Sequence, residues 1–425
     1  MRAKLNRLVL LLGICILWWG VGSAWGAPIV YKQTMTKILD ETQFQGWPPE
    51  NLDYPRSFDM LAASADGSRI GFQVKSRIGD TTHVHTYAAN ADGTGWVDLT
   101  GAMPGEVNPG TATYLKLDPN GDYLFFRAPA IGTVTNIYYF NLATQACNYA
   151  VVPEPGEDYA LQNYDARKPY SLTAIGDDIS LYFKHNAGWD DVLKRNNWGI
   201  YGAALGGLAA KVMDIDRLPG SQDINFLRFL GSASQANQIL LTWNQDYYNP
   251  PATAMWRTAG PTRVPDETHT YVFPDQDQYA HMVSADGTKA LYCSLDAGPR
   301  QLYRVDLFSG AKTLINETYD LNGYFAPALS PSGNYAFFST IGHKNTRHNL
   351  ATGEQRDTWA YWFTESSWVG TDYLVSDITA DDRYYFMGSK PEGDLARIHR
   401  VDLAPTNFSQ TPNITAINFS SPRLV

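Results

Sequence analysis

One short phrase returns seven times along this chain, and a repeat of that kind limits the architecture more than any other feature. Its clearest copies are SADGSRIGF (64–72), SADGTKALY (284–292) and SPSGNYAFF (330–338). DPNGDYLFF (118–126), AIGDDISLYF (174–183) and ITADDRYYFM (378–387) are looser. In SASQANQILLTW (232–243), Gln235-Ala236-Asn237-Gln238 stands where the turn residues belong. The copies start roughly 46 to 58 residues apart, the period of a fold in which each repeat is one four-stranded sheet. Each copy pairs a tight turn with an apolar run. The Asp side chain bonds the local backbone, and Gly accepts positive φ without a steric cost.

The apolar runs YLFF, ISLYF, ILLTW, ALYC, YAFF and YYFM are nearly unbroken. A half-exposed strand alternates apolar and polar residues, whereas an unbroken run suits a strand covered on both faces by neighbouring sheets. Aromatic residues make up 13% of the chain, 26 of them Tyr, which fits strands better than helices. The expectation is an all-β chain: a seven-bladed β-propeller of four-stranded antiparallel blades, with six or eight blades as alternatives. For the first blade the pattern places the second strand over Arg69–Val74, the third over Thr82–Asn90 and the outer one over Gly95–Leu99. Closure of the ring has two candidate strands, residues 414–420 and residues 30–38.

The phrases resemble the repeats of the TolB-type, WD-like propeller family. There, Ser-Pro-Asp-Gly precedes an apolar strand ending in Phe, and a later strand closes on Asn-x-Asp-Gly-Thr and Leu-Thr. SADGSRIGF with NADGTGWVDLT (90–100) matches closely, and the resemblance extends over roughly residues 57–420. It implies a propeller without implying an activity, because one fold hosts many. Only the propeller portion of the TolB arrangement is matched. About 30 residues stand between the leader and the first blade, too few for the TolB N-terminal domain.

Residues 1–26 read as a secretory signal. Arg2, Lys4 and Arg7 lead, Leu8–Trp19 is apolar, and Ala24-Trp25-Gly26 is a small-x-small cleavage site. Residues 27–56 are then an N-terminal extension and 57–425 the propeller. Export places the chain in the periplasm or outside the cell, with no membrane span after cleavage. Beyond the leader, Cys147 and Cys293 fall in well-separated repeats and read as small buried thiols rather than a disulfide. The net charge is −10 and no basic tract is present, which argues against nucleic acid as a partner.

Both tight turns of every blade point to one side of the ring, so variation concentrates on the other. Inserts KHNAGWDDVLKRNNW (184–198) and NQDYYNPPATA (244–254), with crossovers 101–112, 153–170 and 265–279, would gather there. Trp189, Asp190, Asp191, Trp198, Tyr247, Tyr248, Tyr164 and Tyr279 are the candidate ligand-binding residues. Aromatic rings beside carboxylates suit stacking on sugars or anchoring a peptide.

No Gly-x-Ser-x-Gly, HExxH or phosphate-cradling loop occurs, so no catalytic set is assigned. His83 and His85 alternate onto one strand face but lack a third ligand, and a solvated face is the expectation. Asp275 with Asp277, and Asp118 with Asn120 and Asp122, supply too few oxygens for calcium. No metal or cofactor is therefore expected. His185 and His269, and the carboxylates Glu157, Asp190, Asp191 and Asp246, fall on the variable side. The leading expectation is a non-catalytic binding protein for an envelope or extracellular protein or glycan. The alternative is a polysaccharide-acting lyase or hydrolase using the same face.

Overall fold

In the computed structural model, six of the seven phrases meet the second strand of their own antiparallel sheet, and the seventh meets the strand Tyr384–Ser389 of a three-stranded one. The structure describes residues 34–402 apart from 45–53, 79–80, 130–134, 153–169, 176–177, 191–194, 215–225, 234–237, 245–251, 260–263, 273–277, 295–300, 308, 317–327, 341–343, 359–377 and 390–396. Sheet I is built from Tyr54–Ala63, Arg69–Ile78, Thr81–Asn90 and Val97–Asp98. Sheet II follows with Thr113–Leu117, Tyr123–Pro129, Thr135–Asn141 and Ala146–Tyr149. Sheet III has Tyr170–Ile175, Asp178–Asp190, Arg195–Ala204 and Ala210–Asp214. Sheet IV has Phe226–Ala233, Gln238–Asn244, Ala252–Ala259 and Val264–Val272.

Sheet V comprises Gln278–Val283, Lys289–Ser294, Leu302–Asp306 and Lys312–Asn316. Sheet VI comprises Ala328–Leu329, Tyr335–Thr340, Lys344–Asn349 and Gln355–Thr358. In sheet VII, Tyr384–Ser389 and Arg397–Asp402 pair with each other, and Thr34–Asp40 from the other end of the sequence lies along Arg397–Asp402. Of the two candidate closing strands, it is therefore the N-terminal one that pairs with this sheet, from Thr34↔Asp402 to Asp40↔Arg397. Residues 414–420 lie outside the described residues.

The second strand of sheet II is covered on both faces, as its unbroken apolar run requires. Leu124, Phe125 and Phe126 are all fully buried. Phe126 joins Tyr138 and Phe140 with Ala62, Ala88 and Leu99 of sheet I. Phe125 packs the other way, with Leu181, Phe183 and Tyr201 of sheet III. Alternation along one strand thus feeds two separate cores. A third core joins Phe58, Ile70, Phe72 and Tyr87 of sheet I to Leu39, Phe386 and Ile398 of sheet VII. The fourth links Leu291 and Leu302 of sheet V to Ala336 and Phe338 of sheet VI. Sheet VII is therefore a neighbour of sheet I in space although they stand at opposite ends of the sequence.

The turns that lead into the second strands are hydrogen-bonded from sheet to sheet. Within the first turn, Ser64 Oγ donates to Asp66 at 2.6 Å and accepts from the Arg69 N–H at 3.0 Å. Between turns, the Asp66 N–H donates to Pro119 O at 3.1 Å and the Ala285 N–H to Pro331 O at 2.8 Å. The Ser332 N–H reaches Asp382 at 3.2 Å, and the Ala380 N–H reaches Ala65 O at 2.6 Å. These bonds run V to VI to VII to I to II. Turn glycines follow the same order: a Cβ on Gly121 would lie 2.7 Å from Arg69 of sheet I, and one on Gly67 would lie 2.9 Å from Thr379 in the turn leading into sheet VII. Gly67 and Gly121 also hold φ of +70° and +75°, so only glycine fits on both counts.

Two expectations about loops are corrected. Residues 184–198 are not an inserted loop: strands Asp178–Asp190 and Arg195–Ala204 run through most of the segment. Residues 265–279 are not chiefly a crossover, because Val264–Val272 is the outer strand of sheet IV and Gln278 already opens sheet V. In both cases backbone pairing extends past the last apolar residue, since a ladder needs no buried side chain. Cys147 is half-buried and burial pushes its thiol up to about 12, the reading of an inert thiol. Among the described residues no helix is long and apolar enough to cross a membrane.

Candidate functional site

The side of the sheets away from the Asp-Gly turns is shaped by where the second and third strands meet. In sheet II they meet at Pro129↔Thr135, seven residues from the strand's start. In sheet III the second strand has 13 residues, and pairing continues to Asp190↔Arg195. Six further residues at about 3.3 Å each carry this hairpin about 20 Å past the length of its neighbour. Trp189, Asp190 and Trp198, singled out in the sequence, all lie on it.

The register of the hairpin divides its residues between two faces. Asn186 pairs with Trp198 and Trp189 with Asn196, so Ala187 and Gly188 together oppose Asn197 alone. This is a β-bulge, and it shifts the alternation by one residue. Without it, Asn186 and Trp189 would take opposite faces. With it, Lys184, Asn186, Trp189, Asn196 and Trp198 hold positions on one face. His185, Asp190, Arg195 and Asn197 hold positions on the other, which continues the face where Phe183 and Tyr201 pack on sheet II.

Near the foot of the hairpin, Arg127 of sheet II stands two residues beyond Phe125 and shares its side, facing sheet III. Burial disfavours its charged form and lowers its pKa. Sequence reading missed this residue; the only trace of it is a single cation interrupting the run YLFFRAP.

The crossover from sheet I to sheet II is fixed by its own hydrogen bonds. The Thr100 N–H donates to Asp98 at 2.9 Å, and Thr100 Oγ1 accepts from the Thr86 N–H at 2.9 Å. Asn108 caps the short 3-10 turn Pro109–Thr111 through the Gly110 N–H at 2.9 Å. Glu106 accepts from the Tyr149 hydroxyl at 3.1 Å, and Gln73, fully buried, donates to Thr86 at 3.2 Å. These groups hold a loop in place.

His83 and His85 share a strand as expected, and His85 has a partner that the sequence did not suggest. Its Nδ1 lies 2.6 Å from Asp98 on the adjacent outer strand, and its ring stacks on Tyr87 at 6.2 Å. Burial works against ionisation of Asp98, but the bonds from His85 and Thr100 outweigh it and hold the carboxyl below its ordinary range. Asp118 is spent on its turn, accepting from the Tyr123 N–H at 2.6 Å and the Asn120 N–H at 3.1 Å. Among the described residues no three His, Cys, Asp or Glu side chains come together to hold a metal ion.

Tyr279 lies in the first strand of sheet V, opposite Cys293. Asp191, Tyr247, Tyr248 and Tyr164 lie outside the described residues, as do Glu157, Asp246, Asp275 and Asp277, whereas His269 falls in the outer strand of sheet IV. The structure thus brings Trp189, Asp190 and Trp198 together on one hairpin and places Tyr279 in a different sheet.

Comparison with solved structures shows the architecture. An oligogalacturonate lyase in complex with manganese matches 88% of this chain and 97% of its own, with a TM-score of 0.52 at 13% identity. The oligogalacturonate lyase of Vibrio parahaemolyticus matches 88% and 98%, with a TM-score of 0.52 at 10% identity. The fold is a β-propeller. A prolyl endopeptidase matches 83% of this propeller at a TM-score of 0.53 and 12% identity, but only 51% of its own length is covered. No protein-family model matches the sequence, and no curated protein matches it at a significant level.

These comparisons correct the leading functional expectation. The propellers that this one resembles over its length are those of enzymes, lyases and a peptidase among them, so the reading of a non-catalytic binding protein is not carried forward.

Proposed function

We propose that this chain is an exported enzyme that cleaves a polysaccharide, as a lyase or a hydrolase, on the propeller face away from the Asp-Gly turns. One observation carries the reading. Both lyases are matched across nearly their whole chains, 97% and 98%, whereas the peptidase is matched over half of its own. In this reading residues 1–26 are removed on export, and the propeller is of the TolB type with seven blades. The support for seven is that sheets V, VI, VII, I and II follow one another through hydrogen bonds between successive turns.

Cleavage by elimination needs a base placed at an acidic C–H, and hydrolysis needs a pair of carboxyl groups flanking the glycosidic bond. His185 and Asp190 hold positions on one face of the projecting hairpin, with Arg195 directly opposite Asp190. We assign the proton-transfer role to this face.

The test is turnover of acidic and neutral oligosaccharides by residues 27–425. A lyase leaves an unsaturated sugar with ultraviolet absorbance, while a hydrolase leaves only new reducing ends. Loss of turnover in His185→Ala or Asp190→Asn, with an unchanged thermal melt, is the expected result. Absence of turnover of any saccharide by the wild-type chain refutes the reading.

A further inference from the structure

The bulge at Ala187-Gly188 has a chemical consequence, because it sorts the hairpin residues by type. On one face stand two tryptophans and two asparagines, with Lys184 at the foot. On the other stand the histidine, the aspartate and Arg195, with a single asparagine, Asn197. Trp189 and Trp198 occupy diagonal positions: Trp189 opposes Asn196, two residues before Trp198. Diagonal neighbours of this kind lie about 7–8 Å apart, within reach of large side chains. Asn186 opposes Trp198 and Asn196 opposes Trp189, so each indole position is paired across the strands with an amide position.

Indole and amide together are the chemistry of a hydroxyl-rich ring. The indole offers a broad apolar surface to sugar C–H groups, and a carboxamide offers both donors and an acceptor to sugar hydroxyls. A strand face meant only for packing would continue the apolar pattern of Ile200, which is 1% exposed. From Trp198 outward, asparagines alternate with the tryptophans instead.

We infer that the Trp189–Trp198 face of this hairpin is a glycan-holding surface, separate from the face that carries His185 and Asp190, and that it grips a stretch of the polysaccharide chain away from the bond being cut. This rests on the proposed polysaccharide-cleaving activity for its substrate, but its binding can be measured without turnover. Such a surface contributes to long substrates and not to short ones. Removing it raises KM on polymer and leaves kcat on a minimal oligosaccharide unchanged.

The experiment compares Trp189→Ala, Trp198→Ala and the double variant with His185→Ala, each checked by thermal melt. Retardation in gels cast with polysaccharide reports binding, and kcat and KM are taken on polymer and on di- or trisaccharide. Each indole is expected to weaken polymer binding by about tenfold, as a lost ring-stacking contact does. The oligosaccharide kcat should stay within about twofold. His185→Ala should keep wild-type retardation while losing turnover. Should the tryptophan variants unfold, Asn186→Ala with Asn196→Ala repeats the test on the same face. Equal retardation of wild type and all face variants overturns the inference, as does an equal loss of kcat on short and long substrates. If the gels retard the wild type but no saccharide is cleaved, the enzymatic reading fails and the glycan-holding surface stands.

Discussion

Gly93 tests how the two ends of the sequence are joined. It lies in the turn between the third and fourth strands of sheet I with φ of +84°, and a Cβ there would lie 2.1 Å from the Ile38 carbonyl oxygen of the Thr34–Asp40 strand. Gly93→Ala therefore carries two costs. The left-handed backbone costs about 1–2 kcal/mol for any residue with a Cβ. The clash is with backbone, so the strand must move, and with it Leu39, which is fully buried. Exposing that leucine costs about 2–3 kcal/mol.

Gly353→Ala is the matched control. Its φ is +73° and nothing lies within 4 Å of its Cβ, so only the backbone cost applies. The difference between the two variants isolates the strand contact at about 2–3 kcal/mol. Unfolding entropy near 2 cal/mol/K per residue makes that about 3 °C in Tm for a unit the size of Gln33–Val425. Hydrogen exchange over residues 34–40 should accelerate in Gly93→Ala and stay at the wild-type rate in Gly353→Ala. Equal melts and equal exchange in both variants would refute the placement of the N-terminal strand.

Two further outcomes follow from the packing and from burial. A Cβ on Gly71 would lie 2.5 Å from Leu124 Cδ1, so Gly71→Ala should destabilise the wild type yet cost about 1 kcal/mol less in a Leu124→Ala background, measured as a double-mutant cycle by denaturant unfolding. His399 is buried in sheet VII, and burial first, then Arg397 and Lys37, push its pKa down to about 4. It is neutral in both states above its ordinary value of 6.5. As pH falls from there toward 4, the unfolded chain takes up the proton first and stability drops. His399→Gln should remove that part of the loss in melts run across this range, and an unchanged pH profile would refute the assignment.

The sheets were legible in the sequence because the chemistry that makes them is local. Asp66-Gly67 dictates its turn within four residues, and YLFF announces burial on both faces. Residues 184–198 were misread for the converse reason. Lys184-His185-Asn186 carries no apolar alternation, and the pairing that makes it a strand is backbone pairing to residues more than ten positions away. The bulge at Ala187-Gly188 depends on that register and has no signature of its own beyond a glycine. His85 and Asp98 stand 13 residues apart on strands whose pairing had to be known before they could be joined. The candidate site was legible as a list of residue types; how they divide between two faces was not.

Lying along Arg397–Asp402, the strand Thr34–Asp40 imposes an order of events on the growing chain. The edge that its backbone pairs with stands more than 350 positions later in the sequence. Until then only its contact with sheet I, through Leu39, can form. A chain cut before residue 397 would keep the packing of Leu39 on sheet I and lose the backbone ladder of this strand.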